Sequence, residues 1–212
     1  EIMNKIIKNT LILTAITLVS GFLLGLVYEV TKAPIAAAKE KEKQEAYEKV
    51  LEDADSFESY DSFDEAEAAD VLKEAGYESD DISEVAVALD GSGKEMGYVV
   101  TVTSHEGYGG DIKLSVGILS DGTVKGIEML DISETAGLGM KAKESEFKDQ
   151  FKDKQVAKFS YTKTGEDGDD KIDALSGATI TTNAVTNAVD SALVYFQNVL
   201  GGSVNKDFIT VW

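Results

Sequence analysis

The segment of this chain with the clearest potential for chemistry is residues 173–179, which read Asp-Ala-Leu-Ser-Gly-Ala-Thr and end in a hydroxyl side chain. The whole sequence has no cysteine and a single histidine, His105. It therefore cannot hold an iron–sulfur cluster by thiolates or attach haem through Cys-x-x-Cys-His, and one histidine cannot supply bis-histidine ligation. If the protein transfers electrons, its cofactor must be organic.

A helix is predicted directly after this segment. Apolar residues recur there at the i, i+3, i+4, i+7 spacing of an amphipathic helix, and the glycines at 201–202 end the pattern. The residues with this spacing are Val185, Ala188, Val189, Ala192, Leu193, Phe196, Val199 and Leu200. Thr181, Thr182 and Asn183 are the candidate N-caps. An anion bound at Thr179 would then lie just before a helix N-terminus, where free N–H groups and the helix dipole favour negative charge.

The seven residues resemble the motif Asp-x-x-[Ser/Thr]-Gly-Ala-Thr, at which a flavin transferase of the ApbE type attaches FMN through its phosphate to the final threonine. By this resemblance, Thr179 is the attachment site and the transferase is a partner during maturation. The resemblance also places Asp173, Ser176, Gly177 and Ala178 at the cofactor. The two small residues would let the backbone approach a phosphate closely. The alternative is that the segment is only a loop that closes onto a helix cap.

Two further loops resemble motifs of the FMN-binding domains of Rnf and Nqr subunits. The first is Gly-Tyr-Gly-Gly at 107–110, and the second is Glu-Thr-Ala-Gly-Leu-Gly at 134–139. The similarity extends from about residue 82 to residue 199. Ala136 departs from the pattern, because these domains usually have proline there, so we expect a less rigid loop. Lys163 resembles a lysine that the family often has near the flavin ring or phosphate.

Both loops offer groups that an isoalloxazine ring needs. Tyr108 and Leu138 would give a flat apolar contact, and Thr135 with the backbone around Gly137 would donate hydrogen bonds to the pyrimidine edge. Glu134 resembles the family's acid in this loop, and its expected role is to orient the loop or to accept a flavin N–H. The alternative is that the glycines only form turns and that Tyr108 only packs in the core.

The N-terminal part of the chain is predicted to cross a membrane. Residues 9–28 carry no charge, and as a helix rising ~1.5 Å per residue they would span about 30 Å, the hydrocarbon thickness of a bilayer. A cleaved signal peptide is the alternative, but the apolar run is long for one and lacks a clean Ala-x-Ala site at its end. Lys5 and Lys8 precede the run, so the positive-inside rule places the N-terminus in the cytoplasm and the domain outside it.

Gly21 and Gly25 form a Gly-x-x-x-Gly face within this helix. Small residues at this spacing allow another membrane helix to approach closely. We therefore expect partner subunits in the membrane, although glycine is also common in membrane helices without such a role.

The chain is strongly acidic, with a formal net charge of −19 at pH 7. Between Glu52 and Glu84 there are 14 acidic residues against one lysine, Lys73. Binding of nucleic acid depends on neutralising phosphates with Lys and Arg, so this charge excludes nucleic acid as a partner. The acidic face is expected to keep the domain soluble, and the alternative is that it steers a basic partner.

The predicted organisation is an anchor over residues 1–28, a helical neck and acidic region over 29–80, and an FMN-binding domain over 81–212. Runs rich in Val and Ile, joined by Gly-containing turns, predict successive hairpins. The predicted strands are 82–89, 97–104, 112–119 and 124–130, and the predicted helices of the domain are 144–151 and 182–200. The fold class is α+β, with a mainly antiparallel sheet flanked by helices.

Together these features predict a membrane-tethered flavoprotein in the inner or plasma membrane, with FMN bound covalently. The resemblance implies an electron-transferring subunit of an Rnf-type ion-translocating ferredoxin:NAD oxidoreductase, working with other membrane subunits. No catalytic side chain and no metal site are expected. The alternatives are the C subunit of a sodium-pumping NADH:quinone reductase, which typically has a larger soluble domain, a tethered binding or scaffold domain without cofactor, and an extracellular flavin-linked reductase with a diffusible acceptor.

Overall fold

The structure is a computed structural model that describes residues 2–201. The chain divides into two compact units, Glu1–Lys43 and Gln44–Trp212. Helix α1 extends over Ile2–Val50 and contains Pro34, so the predicted anchor and neck form one helix with no break at residue 28. The candidate cap at Gly202 lies outside the described residues.

The first unit contains the apolar part of α1 and the charged residues 39–43 that follow it. This helix is long and apolar enough to cross a membrane, and its large apolar side chains between Met3 and Ile35 are exposed. Two of its polar side chains are satisfied within the helix, because Thr10 Oγ1 donates to the carbonyl of Ile6 and Thr31 Oγ1 donates to that of Val27. Such internal bonds suit a helix surrounded by lipid, where no water is present to accept them.

The second unit is built on a five-stranded antiparallel sheet with its strands in chain order. The strands are β1 (Ser56–Ser59), β2 (Asp80–Leu89), β3 (Glu95–Ser104), β4 (Ile112–Leu119) and β5 (Val124–Ile132). Helix α2 (Glu65–Glu74) lies between β1 and β2 in the chain. The acidic region was predicted as helical to about residue 76, but it contains strand β1 as well as helix α2. The four residues of β1 gain their partners only from β2, which local sequence does not show.

After the sheet come short elements and one long helix. These are α3 (Ser145–Lys148), flanked by 3-10 turns at Gly139–Lys143 and Asp149–Phe151, then β6 (Ser160–Thr162), β7 (Lys171–Asp173) and α4 (Thr179–Asn198). The helix predicted over 144–151 is thus only one α-helical turn followed by a 3-10 turn. Strands β6 and β7 pair in parallel, and this small sheet was not predicted, because three residues are too few for a periodic pattern.

Helix α4 begins three residues earlier than predicted. Its first residue is Thr179, and Ala178 occupies the N-cap position, so the prediction of Thr181, Thr182 or Asn183 as the N-cap was wrong. The apolar face of α4 is buried against β3 and β4, with Val189, Leu193 and Phe196 fully covered. Each such burial stabilises the fold by roughly 2 kcal/mol, which is enough to hold the helix in one position on the sheet.

The opposite face of the sheet is covered by the last turn of α1. Tyr47 and Val50 pack there against Ala88 and Val99, and Tyr47 Oη lies 3.2 Å from Thr101 Oγ1. Both faces of the central strands are therefore buried, and the α+β class with an antiparallel sheet and flanking helices is confirmed.

Candidate functional site

Three segments meet at one open cavity of about 580 Å³. The first two are the loops that follow β3 and β5. Alternate strands of an antiparallel sheet run in the same direction, so the loops that follow β3 and β5 leave from the same end of the sheet. The third is the turn between β7 and α4, with the first turn of that helix. The lining residues are Tyr108, Glu134, Thr135, Leu138, Gly139, Gly177, Ala178, Thr179, Ile180 and Thr181.

The cavity brings together seven of the eleven residues that the sequence singled out. These are Thr179, Gly177, Ala178, Tyr108, Glu134, Thr135 and Leu138. They come from segments up to 71 positions apart, the separation of residues 108 and 179 in the sequence. The volume lies within the range of about 300–1,000 Å³ that is typical of small-molecule and cofactor sites.

The other four predicted residues lie beside the cavity and do not line it. Asp173 is the last residue of β7 and Ser176 is exposed in the turn that follows. Gly137 has φ +76°, a left-handed conformation that lets the 134–139 loop turn. Lys163 is exposed directly after β6, at the same end of the small parallel sheet as Asp173. Their contacts with a cofactor stay predictions.

Glycine is required where the two loops touch each other. A Cβ atom at Gly109 would clash with the carbonyl oxygen of Ser133, and one at Gly107 would clash with the carbonyl of Gly110. The backbone of the first loop therefore lies directly against the start of the second. The glycines thus allow close packing of the backbone as well as turns. The sequence alone did not distinguish these two roles.

Glu134 connects all three segments. Its Oε1 accepts a hydrogen bond from the backbone N–H of Gly109 at 3.0 Å, and its Oε2 accepts one from Thr181 Oγ1 at 3.0 Å. A Cβ at Gly139 would lie 2.6 Å from Thr181 Oγ1 and 2.7 Å from Glu134 Oε2, so only glycine leaves room for this bridge. Both roles expected for Glu134, orienting the loop and accepting a flavin N–H, stay predictions.

The N-terminus of α4 faces the cavity with few internal partners. The N-cap residue, Ala178, has no side-chain acceptor for the first N–H groups, and the first turn contains no acidic residue. The first intrahelical bond runs from the Thr182 N–H to the Ala178 carbonyl at 3.0 Å. The N–H groups of the first turn, with the positive end of the helix dipole, therefore provide a favourable environment for an anion on Thr179.

Two side chains that the sequence did not single out as site residues hold the turn before α4. Thr182 Oγ1 accepts a bond from the Leu175 N–H and donates one to the Ala178 carbonyl, both at 3.0 Å. Gln150 accepts from the Asp173 N–H at 2.6 Å and donates to the Asp173 carbonyl at 3.5 Å. The turn that presents Thr179 is thus fixed at both ends. A hydroxyl in the first helical turn was visible in the sequence, whereas the role of Gln150 depends on a long-range contact.

A histidine closes the base of the first loop. His105 Nδ1 lies 2.9 Å from Asp111 Oδ1, and Nε2 lies 2.8 Å from Asp81 Oδ2. The hydrogen bonds to these two carboxylates raise the pKa of His105 above its usual value. Residues 105 and 111 flank the 107–110 loop, so this contact holds its two ends together.

Large apolar side chains that are exposed to solvent surround the cavity. Among residues 44–201, the exposed large hydrophobic side chains are Tyr108, Leu138 and Ile180, with exposed fractions of 71%, 42% and 53%. All three line the cavity. Exposed apolar residues that cluster around a concave site are typical of a surface that a ligand or partner covers.

Two family models match this chain. The family model described as FMN-binding domain matches residues 107–194, which include both loops and most of α4, and that of the RnfG N-terminal region matches residues 3–50. The solved structure of NqrC from Shewanella oneidensis aligns with a TM-score of 0.47 and 27% identity, over 54% of this chain and 58% of that one.

Two relatives match along almost their whole length. The G subunit of an ion-translocating oxidoreductase complex from Methanosarcina acetivorans is 35% identical over 91% of this chain and 95% of that protein. The G subunit of a proton-translocating ferredoxin:NAD(+) oxidoreductase complex from Clostridium ljungdahlii is 33% identical over 94% and 96%, respectively. With its FMN-binding domain and its N-terminal region both matched, this chain belongs to the family of G subunits of Rnf-type ion-translocating oxidoreductase complexes.

Proposed function

We propose that this chain carries FMN covalently bound through its phosphate to Thr179 Oγ1 and transfers electrons within an Rnf-type ferredoxin:NAD oxidoreductase. The observation that carries the proposal is the position of Thr179. It is the first residue of an α-helix whose N-terminus has no capping side chain, and it lines a cavity with three exposed apolar side chains around it.

The residues present fit both ends of FMN. The phosphate would lie against the N–H groups at the start of α4, where Gly177, with φ +74°, lets the backbone turn towards it. The isoalloxazine ring would contact Tyr108, Leu138 and Ile180. Thr135 and the backbone near Gly137 would donate hydrogen bonds to its pyrimidine edge.

Bound FMN supplies reversible one- and two-electron redox chemistry, and the protein's part is to hold and orient it. Glu134 keeps the two loops and α4 in register, and the apolar side chains exclude water from one face of the ring. Covalent attachment suits a carrier outside the cytoplasm, since a flavin held only by contacts would eventually be lost. No side chain of the cavity needs to exchange a proton with a substrate.

The expected setting is a membrane complex. We propose that α1 crosses the membrane with Lys5 and Lys8 on the cytoplasmic side, that the domain lies outside the cytoplasm, and that an ApbE-type transferase attaches the flavin. The relative from Clostridium ljungdahlii is named as a subunit of a ferredoxin:NAD(+) oxidoreductase complex. This name supports the proposal that the complex of this chain transfers electrons between ferredoxin and NAD. The topology is tested by labelling an engineered surface cysteine of the domain in intact cells with a reagent that does not cross the membrane. Protection of the domain from the reagent would indicate the opposite topology.

The attachment itself is tested by mass spectrometry of protein matured in its native host. Intact protein should carry an FMN-sized mass increment and keep its yellow colour after denaturation. Thr179→Ala should be folded and colourless, whereas Thr181→Ala, the matched control two residues away in the same helical turn, should keep the flavin. An increment on a peptide that lacks Thr179, or no increment at all, would refute the proposal and favour a tethered binding domain.

A further inference from the structure

The core of the domain contains two buried carboxyl groups that the proposed function does not use. Asp190 lies on α4 and is 1% exposed, and Asp80 begins β2 and is 3% exposed. Both belong to the region where α4 packs on the sheet, some distance along the helix from Thr179. Eleven residues separate Thr179 from Asp190, or roughly 16 Å at the rise of an α-helix.

The hydrogen bonds of Asp190 come from groups without charge. Its Oδ1 accepts from the backbone N–H of Phe159 at 2.7 Å, and its Oδ2 accepts from the hydroxyl of Tyr77 at 3.3 Å. Two neutral donors, of which the Tyr77 hydroxyl is as far as 3.3 Å away, compensate only part of the hydration that a carboxylate loses on burial.

Asp80 also has neutral hydrogen-bonding groups around it. Its Oδ2 accepts from Ser191 Oγ at 2.6 Å, and Ser104 also favours its ionised form, whereas its buried Oδ1 has no hydrogen-bond partner. Ser191 directly follows Asp190 on α4. The hydrogen bond from Ser191 therefore links Asp80 to the same helical turn that carries Asp190. The negative charge of each disfavours ionisation of the other.

The charged groups around the pair do not neutralise it. Within residues 2–201, neither acid forms an ion pair with a lysine or histidine. Lys158 stabilises the ionised form of Asp190, but its Nζ lies over the ring of Tyr77, 5.2 Å from the centroid. From the end of β3, His105 favours ionisation of Asp80 and Glu106 opposes it.

Burial consequently raises the pKa of both carboxyl groups. The pKa of Asp190 rises to about 7, with desolvation as the largest cause and the charge of Asp80 as a further one. Desolvation also raises the pKa of Asp80. A buried acid without a cation partner avoids the cost of an interior charge by keeping its proton.

We propose that Asp190, with Asp80 as its acidic neighbour, is a proton-binding site inside the domain whose occupancy holds α4 against β2. With the proton present, the interior charge at this contact is lower and the helix packs tightly. When the proton leaves, the negative charge on Asp190 adds to that of Asp80, and the attachment of α4 weakens. The helix that begins at Thr179 thereby becomes sensitive to pH. This inference does not depend on flavin attachment.

The sign of the effect follows from linkage. In the unfolded chain Asp190 loses its proton near its ordinary pKa, whereas in the folded domain it keeps the proton to near neutrality. The folded state therefore binds one proton more between about pH 4 and pH 7, and stability from this site decreases as pH rises through that window. The equilibrium constant for unfolding, relative to a variant without the acid, should rise by up to about tenfold per pH unit there.

The first experiment observes the proton directly, in the full chain in detergent micelles. The carboxyl carbon of Asp190 should titrate near neutrality by NMR, well above the value of about 4 that an aspartate has in an unfolded chain. Asp80→Asn should move the Asp190 midpoint to lower pH, because it removes the neighbouring charge. An Asp190 midpoint near the unfolded-chain value would overturn the site, and a midpoint unaffected by Asp80→Asn would remove Asp80 from it.

The second experiment measures urea unfolding of wild type, Asp190→Asn and the matched control Asp70→Asn across the same pH window. Asparagine keeps the shape and the acceptor for the Phe159 N–H but cannot ionise. The ratio of the wild-type unfolding constant to that of Asp190→Asn should rise with pH, while wild type and Asp70→Asn should remain parallel. Parallel curves for wild type and Asp190→Asn would overturn the proposal. If Asp190→Asn does not fold, the NMR titration of the wild type decides alone.

Discussion

Thr181 donates a hydrogen bond from Oγ1 to Oε2 of Glu134 at 3.0 Å, across 47 positions of sequence. The bond joins the loop after β5 to the first turn of α4, and the other carboxylate oxygen of Glu134 holds the glycine loop after β3. A single side chain therefore sets the spacing of the three segments that line the cavity. Several properties of the proposed flavin site should depend on it.

Glu134→Ala should loosen the cavity without preventing flavin attachment. The substitution leaves the Gly109 N–H and the Thr181 hydroxyl without their acceptor, and the expected loss in the free energy of unfolding is about 1–2 kcal/mol. Glu134→Gln keeps one carbonyl acceptor and should lose less. Faster amide exchange at Gly109 and lower fluorescence anisotropy of the attached flavin would report the looser site. Unchanged exchange in Glu134→Ala would contradict the bridging role.

Gly109→Ala should destabilise the domain by about 1–3 kcal/mol, because the new methyl group clashes with the carbonyl of Ser133 and forces the two loops apart. Gly91→Ala is the matched control. Position 91 lies in the turn between β2 and β3 and has no atom within 4 Å of an added Cβ. Urea unfolding of the two variants checks the difference, and equal stabilities would show that the close approach of the loops is unimportant.

The 107–110 loop should become less ordered as pH rises. The hydrogen bonds to Asp111 and Asp81 raise the pKa of His105, so the stabilisation from the protonated ring is fully present below the unfolded-state value of about 6.5. It is lost as pH rises through the higher folded-state pKa. Amide protection in the loop, corrected for intrinsic exchange, should fall over that range in wild type and not in His105→Gln. Equal pH dependence in both proteins would refute this role.

Replacing Gly21 and Gly25 together with leucine should separate the anchor from its partner helices. A Cβ at either position meets no atom within 4 Å, so this face is open for a neighbouring helix. Leucine keeps the segment apolar enough to insert but prevents close approach of another backbone. Membrane insertion and flavin attachment should persist, while co-purification with other membrane subunits and ferredoxin-dependent NAD reduction should decrease.

The control for that experiment is a pair of alanines at the same two positions, which keeps the side chains small. Activity is compared in membranes at matched flavin content. Normal recovery of the complex and full activity with the leucine pair would show that the glycine face is incidental and that the domain alone docks the protein.

Local patterns in the sequence were sufficient for much of the fold. The alternation in residues 112–119 predicted β4 with both of its observed ends, because large apolar side chains recur there at every second position, as they do on one face of a strand. The start of α4 was misplaced, because the backbone of the turn before Thr179 is held by Gln150 and Thr182 rather than by an N-cap side chain. Strands β6 and β7 were missed, because their stability comes from pairing with each other across an intervening loop.

The sequence by itself determined the types of chemistry available. The absence of cysteine, the motif that ends at Thr179 and the uncharged run from residue 9 to residue 28 pointed to an organic cofactor and a membrane anchor. Only the tertiary structure decided that Tyr108, Glu134 and Thr179 share one cavity, and that Asp80 and Asp190 are both buried where α4 packs on the sheet. Contacts between distant segments depend on the order and direction of strands, which local residue patterns do not encode.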